Sequence, residues 1–380
     1  MPSTSNSRPV WDDGARLSLP SLEGEHTADV CVIGLGGSGL VCINELLRLG
    51  ANVIGVDAAH VGGGAGGRNG GFLLAGIASF HHDAVASHGR TRASAMYQLT
   101  LEELDRITAD TPELVRRVGS LRLAESIDEA RDCERQRDAM IADGFAADLY
   151  EGPEGRGLLI GADGVFNPFK RCDTLARRAL ERGARLFTQS AIHRIEDGTA
   201  HADTGSVKAR TVVVAVDGAL PRVLPELAAA VRTARLQMLS TEPTQEISVP
   251  RPVYARWGYD YWQQLPSGEI ALGGARDVGG EAEWTSDMST TDVVQRALEE
   301  RLRNILGVHA PVARRWSASV SYTRDELPIV REVRPSVWGI GAYSGTGNVV
   351  GSLLGRGVAR LINTGDDRLI APFRGAYRGA

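Results

Sequence analysis

Residues 28–57 constrain the fold more than any other part of the chain. They read Ala-Asp-Val-Cys-Val-Ile-Gly-Leu-Gly-Gly-Ser-Gly-Leu-Val-Cys-Ile-Asn-Glu-Leu-Leu-Arg-Leu-Gly-Ala-Asn-Val-Ile-Gly-Val-Asp. Val30 to Ile33 is a short apolar run that suits a strand buried on both faces of a parallel sheet. Gly34-x-Gly36-x-x-Gly39 follows, then an apolar helical pattern at Leu40, Val41, Ile43, Leu46 and Leu47 that Gly50 can close in the left-handed conformation. A second apolar run, Val53 to Val56, ends on Asp57. The glycine triplet alone would be weak evidence. A strand before it, a helix after it and an acid eighteen positions past Gly39 supply the context it needs. Gly34 allows a tight turn, Gly36 lets backbone approach a pyrophosphate, and Gly39 lets helix and strand pack closely. Unpaired N–H groups at the helix start, around Gly37 and Ser38, add donors and partial positive charge. Asp57 can accept from both ribose hydroxyls, and its charge repels a 2′-phosphate. These residues predict an adenine dinucleotide site.

A chain of 380 residues exceeds the ~150 typical of one domain, so two domains, or one with an insertion, are expected. Composition is that of a globular protein, and the net charge of −5 gives no reason to expect a nucleic-acid or membrane-surface partner. The opening residues, Met1 to Arg8, have no apolar signal core, and no run approaches ~20 apolar residues, so a cytoplasmic location is expected. Cys31, Cys42, Cys133 and Cys172 are scattered and suit small core positions better than a disulfide framework. His81-His82-Asp83 and His88 invite a metal or triad reading. Adjacent histidines usually point apart, however, and a surface or loop role is expected, with no metal. No Gly-x-Ser-x-Gly elbow or His-Glu-x-x-His run occurs.

Further along, 90–145 reads as charged helices, with Ser126-x-x-Glu129 as a capping box. Residues 165–218 return to α/β texture: Asp173 can cap a helix that Gly183 closes, and strands are expected near Arg185–Gln189 and Thr211–Val216. From 236 to 323 the pattern is aromatic and strand-like, with Pro266-Ser-Gly268 as a hairpin turn. Residues 335–363 read strand, glycine-rich turn, apolar helix. The α/β segments bracket two inserted blocks. One discontinuous domain is expected over 1–85, 150–235 and 324–380, and a second over 86–149 and 236–323.

A second glycine run, His60-Val-Gly-Gly-Gly-Ala-Gly-Gly-Arg-Asn-Gly-Gly-Phe72, holds seven glycines in thirteen residues. It can clear side chains from a path along a long flat ligand, and Arg68 can pair with a phosphate. With this run the chain resembles the D-amino-acid oxidase family of flavoproteins, the glycine oxidase, sarcosine oxidase and glutamylputrescine oxidase group. The Gly-Arg-Asn-Gly-Gly-Phe stretch, with the upstream Trp11 and Leu22-Glu-Gly24, is most similar to the glutamylputrescine oxidase branch. Gly164-Val-Phe-Asn-Pro168, Val212-Val-Val-Ala-Val-Asp-Gly218, Thr323-Arg-Asp-Glu-Leu-Pro-Ile-Val330 and Gly339-Ile-Gly-Ala-Tyr-Ser-Gly-Thr-Gly-Asn348 resemble the family's later motifs, in order.

The resemblance implies an α/β fold: a Rossmann-like FAD-binding domain with an inserted mixed-sheet α+β substrate domain. It implies FAD, extended, with its redox ring between the domains. Its contacts would be Gly34, Gly36, Gly37, Ser38, Gly39, Asp57, Gly66, Gly67, Arg68, Asn69, Gly70, Gly71, Ile192, Gly218, Gly341, Gly345, Thr346, Gly347 and Asn348. The loop from Ser344 to Asn348 precedes an apolar helix, so its N–H groups and the helix dipole suit the negative charge of a reduced flavin.

Four departures stand out. Trp316–Tyr322 lacks the cysteine that tethers FAD in sarcosine oxidases, so FAD is expected to be non-covalent. The block 240–280 lacks the lysine those oxidases use to activate oxygen. Arg324 replaces a usual proline, and Thr346 a frequent histidine. The implied activity is oxidation of a CH–NH bond of an amino acid or small amine, by hydride transfer to the flavin and then to O2 or another electron acceptor. The imine formed would hydrolyse. Alternatives are a 2-hydroxy-acid dehydrogenase and a non-catalytic FAD-binding protein. A substrate carboxylate would need Arg, with Tyr beside it. Tyr259, Tyr261, Arg276 and Arg324 are the expected catalytic set, with Arg256 also available. Strand alternation would put Tyr259 and Tyr261 on one face.

Overall fold

Apolar runs of four or five residues, separated by helices, leave a parallel sheet as the arrangement that satisfies their backbone. In the computed structural model, which describes residues 8–375, Gly24–Ile33 pairs in parallel with Val53–Val56 on one side and Gly205–Val214 on the other. Arg185–Phe187 extends this sheet beyond Val53–Val56, and Val337–Gly341 pairs in parallel with Gly205–Val214. Val30 lies opposite Val53, and Ile33 opposite both Val56 and Val214, with all five side chains buried. Most of the opening segment inspected for a signal core lies outside the described residues.

The chain divides into two units. The first holds this sheet and comprises Gly14–Gly67, Pro168–Thr233 and the described residues from Ser319 onward. Its helices are Gly37–Arg48, Pro168–Glu181 and Val350–Thr364. The Pro168–Glu181 helix starts five residues before the expected cap at Asp173. Proline suits the first helical position because its missing N–H has no intrahelical partner there. Asp173 is therefore an interior helical residue, and it pairs with Arg177 one turn on at 2.7 Å.

The second unit comprises the described residues up to Asp13, Arg68–Asn167 and Ala234–Ala318. Residues 68–85 and 150–167, grouped above with the dinucleotide domain, cluster here. Its large sheet runs Val312–Tyr322, Arg232–Thr241, Ile270–Gly274, Asp260–Gln264, Val253–Ala255, Ser120–Ala124, Gly155–Ile160, Asp148–Gly152. Phe72–Leu73, Gly164–Phe166 and Val115–Arg116 form a small second sheet. The Pro266–Gly268 turn joins antiparallel strands as expected, with Gly268 at φ +104°. The purely strand-like reading of 236–323 fails at Asp292–Glu300, which is helical. Val294, Leu298 and Leu302 recur every four residues and are fully buried, a helical period hidden among aromatics.

Ser126 caps the Ile127–Ala142 helix by accepting the Glu129 N–H at 3.1 Å. The Glu129 carboxylate returns to the N–H of Glu125 rather than to the cap itself. The histidine pair departs from its expected surface role. His81 is buried, 2.8 Å from Asp143, and His82 Nε2 meets Asp132 at 3.1 Å. The two rings point to different carboxylates. No three His, Cys, Asp or Glu residues among those described gather as a metal site, and no described helix is long and apolar enough to cross a membrane.

Asp163 is the second unit's most consequential buried acid. It accepts the Ser120 hydroxyl at 2.6 Å and the Ala75 N–H at 3.0 Å, and burial pushes its pKa up to about 7. An acid whose folded pKa is raised holds its proton more tightly in the native state. It therefore favours folding most below its unfolded value near ~4, and that contribution is lost as pH rises toward 7. Unfolding free energy should fall by on the order of a few kcal/mol between pH 4 and 7, and Asp163→Asn should flatten the slope, as read by denaturant titration across that range.

Candidate functional site

The strand ending at Ile33 delivers its chain directly into the glycine turn. Gly34 sits at φ +109°, which a side chain would strain, and donates to Val56 O at 2.8 Å. A Cβ at Gly39 would lie 1.9 Å from Gly34 O, so only glycine lets the Gly37–Arg48 helix start this close to the strand end. Gly36 differs from both. Its φ of −88° is ordinary, and a Cβ there would meet only the Gly66 Cα, at 3.9 Å. Neither backbone nor packing demands glycine at 36.

That helix has no side-chain cap and no acid in its first turn, so neither its cap residue nor its own first turn supplies an anion to the donors of Gly37, Ser38 and Gly39. An approachable backbone at Gly36 beside uncapped helical N–H groups fits the pyrophosphate of FAD. Asp57 accepts the N–H of Leu35 at 2.7 Å with one oxygen and that of Ala59 at 2.8 Å with the other. Burial raises its pKa while these two bonds oppose the shift. Ile192 contributes its side chain to the hydrophobic core, so a ligand contact there would have to be through its backbone. Arg171, which nothing in the sequence marked out, is buried and brings Nη1 within 3.8 Å of the Cβ position at Gly37.

The C-terminal loop belongs to the same unit. Ala342 and Ser344, both at φ +51°, and Gly345 at +96° are left-handed. Two such non-glycine residues in three mark a strained turn held by its surroundings. Asp217 lies against it, 3.4 Å from the Tyr343 N and 3.4 Å from the Ser321 N, and burial lifts its pKa to about 6. Gly218 and Gly341 flank that acid; a Cβ on Gly218 would strike Ser319 O at 2.3 Å. The Thr346 hydroxyl donates back to Tyr343 O at 2.8 Å, closing the turn locally. Gly347 and Asn348 lead into the helix that starts at Val350.

In the second unit the end of the glycine run is tied down carbonyl by carbonyl. Arg68 O accepts from the Trp316 indole at 2.8 Å, Asn69 O from the Trp11 indole at 2.8 Å, Gly70 O from Gln263 Nε2 at 2.5 Å, and Gly71 O from Phe166 N at 2.9 Å. Arg68 spends its Nε on Ser317 O, so a phosphate contact would fall to its terminal nitrogens. Gly66 and Gly67 precede this strap in the first unit.

The expected substrate set is only partly assembled. Tyr261 and Gln263 share the face of the Asp260–Gln264 strand that meets Gly70 and Gly71, while Trp262 enters the core behind it. Tyr261 also meets the Phe72 ring edge-on. Tyr259 does not share this face by alternation. Arg256 and Trp257, both at φ +53°, kink the chain and leave Tyr259 in a helical conformation before the strand begins. Its ring instead lies 5.3 Å from the Arg276 guanidinium, which also covers Trp284 at 4.7 Å. Arg256 is paired with Asp260 and Asp277. Arg324 is exposed on a turn of the first unit.

A family model described as FAD dependent oxidoreductase, DAO, matches residues 29–361. The "Probable oxidoreductase OrdL" of Haemophilus influenzae is 23% identical, covering 94% of this chain and 88% of that protein. The gamma-glutamylputrescine oxidoreductase of Escherichia coli K12 is 25% identical over 92% and 87% respectively. Among solved structures, a glycine oxidase from Geobacillus kaustophilus superposes with a TM-score of 0.77 at 19% identity, over 93% of this chain and all of that one.

Gly39→Ala should destabilise the protein by at least about 1–3 kcal/mol, since the new methyl meets backbone and not a movable side chain. Trp11→Phe should cost about 1–3 kcal/mol by leaving Asn69 O without its donor. Urea unfolding of the full chain checks both.

Proposed function

Because the chain belongs to the FAD dependent oxidoreductase (DAO) family and so works with FAD, we propose that it oxidises a carbon–nitrogen single bond of an amino acid or small amine. The observation that carries this reading is the family match over residues 29–361, joined to two relatives whose names specify an amine or amino-acid substrate. FAD, when bound, takes up the two electrons that leave the substrate carbon. The carbon gives up a hydride and the nitrogen a proton, and the resulting imine is hydrolysed by water to carbonyl and amine.

The chain's own residues hold, orient and shield. The amides of Gly37 to Gly39 and the carboxylate of Asp57 take the pyrophosphate and ribose, with Gly36 and Gly66 to Gly71 clearing the path. FAD is held non-covalently, since Trp316–Tyr322 offers no cysteine. Tyr261, fixed over Gly70 and Gly273, is the aromatic group that orients substrate. Arg276, flanked by Tyr259 and Trp284, supplies positive charge for a carboxylate, a role Arg256 cannot fill while it serves two aspartates.

Anaerobic mixing with a panel of amines and amino acids should bleach the flavin band near ~450 nm, whereas 2-hydroxy acids should leave it intact. Bleaching by hydroxy acids alone would overturn the proposal. Tyr261→Phe should lower kcat/KM for the best amine by about 10–100-fold, through lost orientation, as measured under steady-state conditions.

A further inference from the structure

Tyr343 is 6% exposed, and its hydroxyl makes no hydrogen bond of ordinary geometry, although the Ser38 side chain lies close enough to act on it. A phenol buried in this way is destabilising by about 1–3 kcal/mol unless something answers it. Its setting shows where the answer comes from. The ring occupies space that two glycines leave open: a Cβ at Gly347 would stand 2.8 Å from Cδ2, and one at Gly351 would stand 3.2 Å from Cε2 and Cζ. That same point at Gly351 is 3.4 Å from the Ser38 Cβ. The phenol end of Tyr343 and the Ser38 side chain therefore meet between the first turns of the Gly37–Arg48 and Val350–Thr364 helices. Neither helix has an acid in its first turn or a side-chain cap.

We propose that the Tyr343 hydroxyl is a cofactor-binding donor, its partner an acceptor oxygen in the pyrophosphate–ribityl stretch of bound FAD. This rests on the dinucleotide reading of the Gly34–Gly39 loop and adds a residue to it. Phenylalanine would fill the same space between Gly347 and Gly351, so the hydroxyl, and not the ring, is what the packing leaves unexplained. Ser344 Oγ also lacks a partner, but that residue is only partly buried.

The test compares wild-type and Tyr343→Phe holoenzymes as full chains. FAD release on dilution is followed by the rise in flavin fluorescence, and melting temperature is measured at increasing added FAD. The variant should bind FAD about tenfold more weakly, the equivalent of one neutral hydrogen bond to the ligand. Enough added FAD should restore the wild-type melting temperature, because the loss is in binding. Unchanged FAD affinity would overturn the proposal. So would a melting temperature that stays equally depressed at saturating FAD, which would make the hydroxyl structural. Displacement of FAD by ADP identifies the oxygen: a matching loss of ADP affinity assigns a phosphate, and unchanged ADP affinity assigns the ribityl chain. Wild-type protein that takes up no FAD would instead defeat the dinucleotide reading itself.

Discussion

The contact between the first helix and the end of the first strand governs everything the dinucleotide unit can do. Gly34 turns the chain in a left-handed conformation, and Gly39 approaches its carbonyl more closely than any side chain would allow. A larger residue at either place would push the helix away from the sheet edge. The uncapped N–H groups would then no longer be held beside Gly36, and the partial charge of the helix end would be spent on water. Strand pairing around Ile33, the position of Asp57 and the packing of the C-terminal helix all assume that short distance. Gly355 repeats the device: a Cβ there would stand 2.2 Å from Ser38 O, so the two helices also meet backbone to backbone.

Order in the second unit is enforced by side chains acting on main chain. Four consecutive carbonyls, from Arg68 to Gly71, are each fixed by a donor from a different part of the sequence. A glycine-rich strand is floppy by itself, since each glycine loses more conformational freedom on folding than other residues do. Distributing its tethers over Trp11, Phe166, Gln263 and Trp316 offsets that cost and gives the run one shape. His81 and His82 do similar work beside the Ile127–Ala142 helix, adding to the arginine and serine contacts of Asp143 and the arginine contacts of Asp132.

Local periodicity made the parallel core and the Gly34–Asp57 crossover legible, because each element there is specified by its own neighbours. The Pro266–Gly268 turn and the Ser126 cap were legible for the same reason. What escaped depended on distant partners. The helix at Asp292–Glu300 is amphipathic only when Val294, Leu298 and Leu302 are picked out from an aromatic background. The kink at Arg256–Trp257 puts two non-glycine residues in a left-handed conformation ahead of Gly258, and only that glycine is a turn residue. Arg171 sits in the first turn of its helix, with nothing in its sequence neighbourhood to signal that its guanidinium reaches toward Gly37. The expected pairing of Tyr259 with Tyr261 failed because strand alternation was extended one residue past the true start of the strand.

Asp57 carries one more implication. Its carboxylate, the proposed recognition group for ribose, is also a brace, since its two oxygens fasten the amides of Leu35 and Ala59. On that proposal, selectivity and architecture are vested in one side chain. An engineer wishing to re-tune nucleotide preference at this position would dismantle the cradle in the same stroke, unless new acceptors for both amides were built in first.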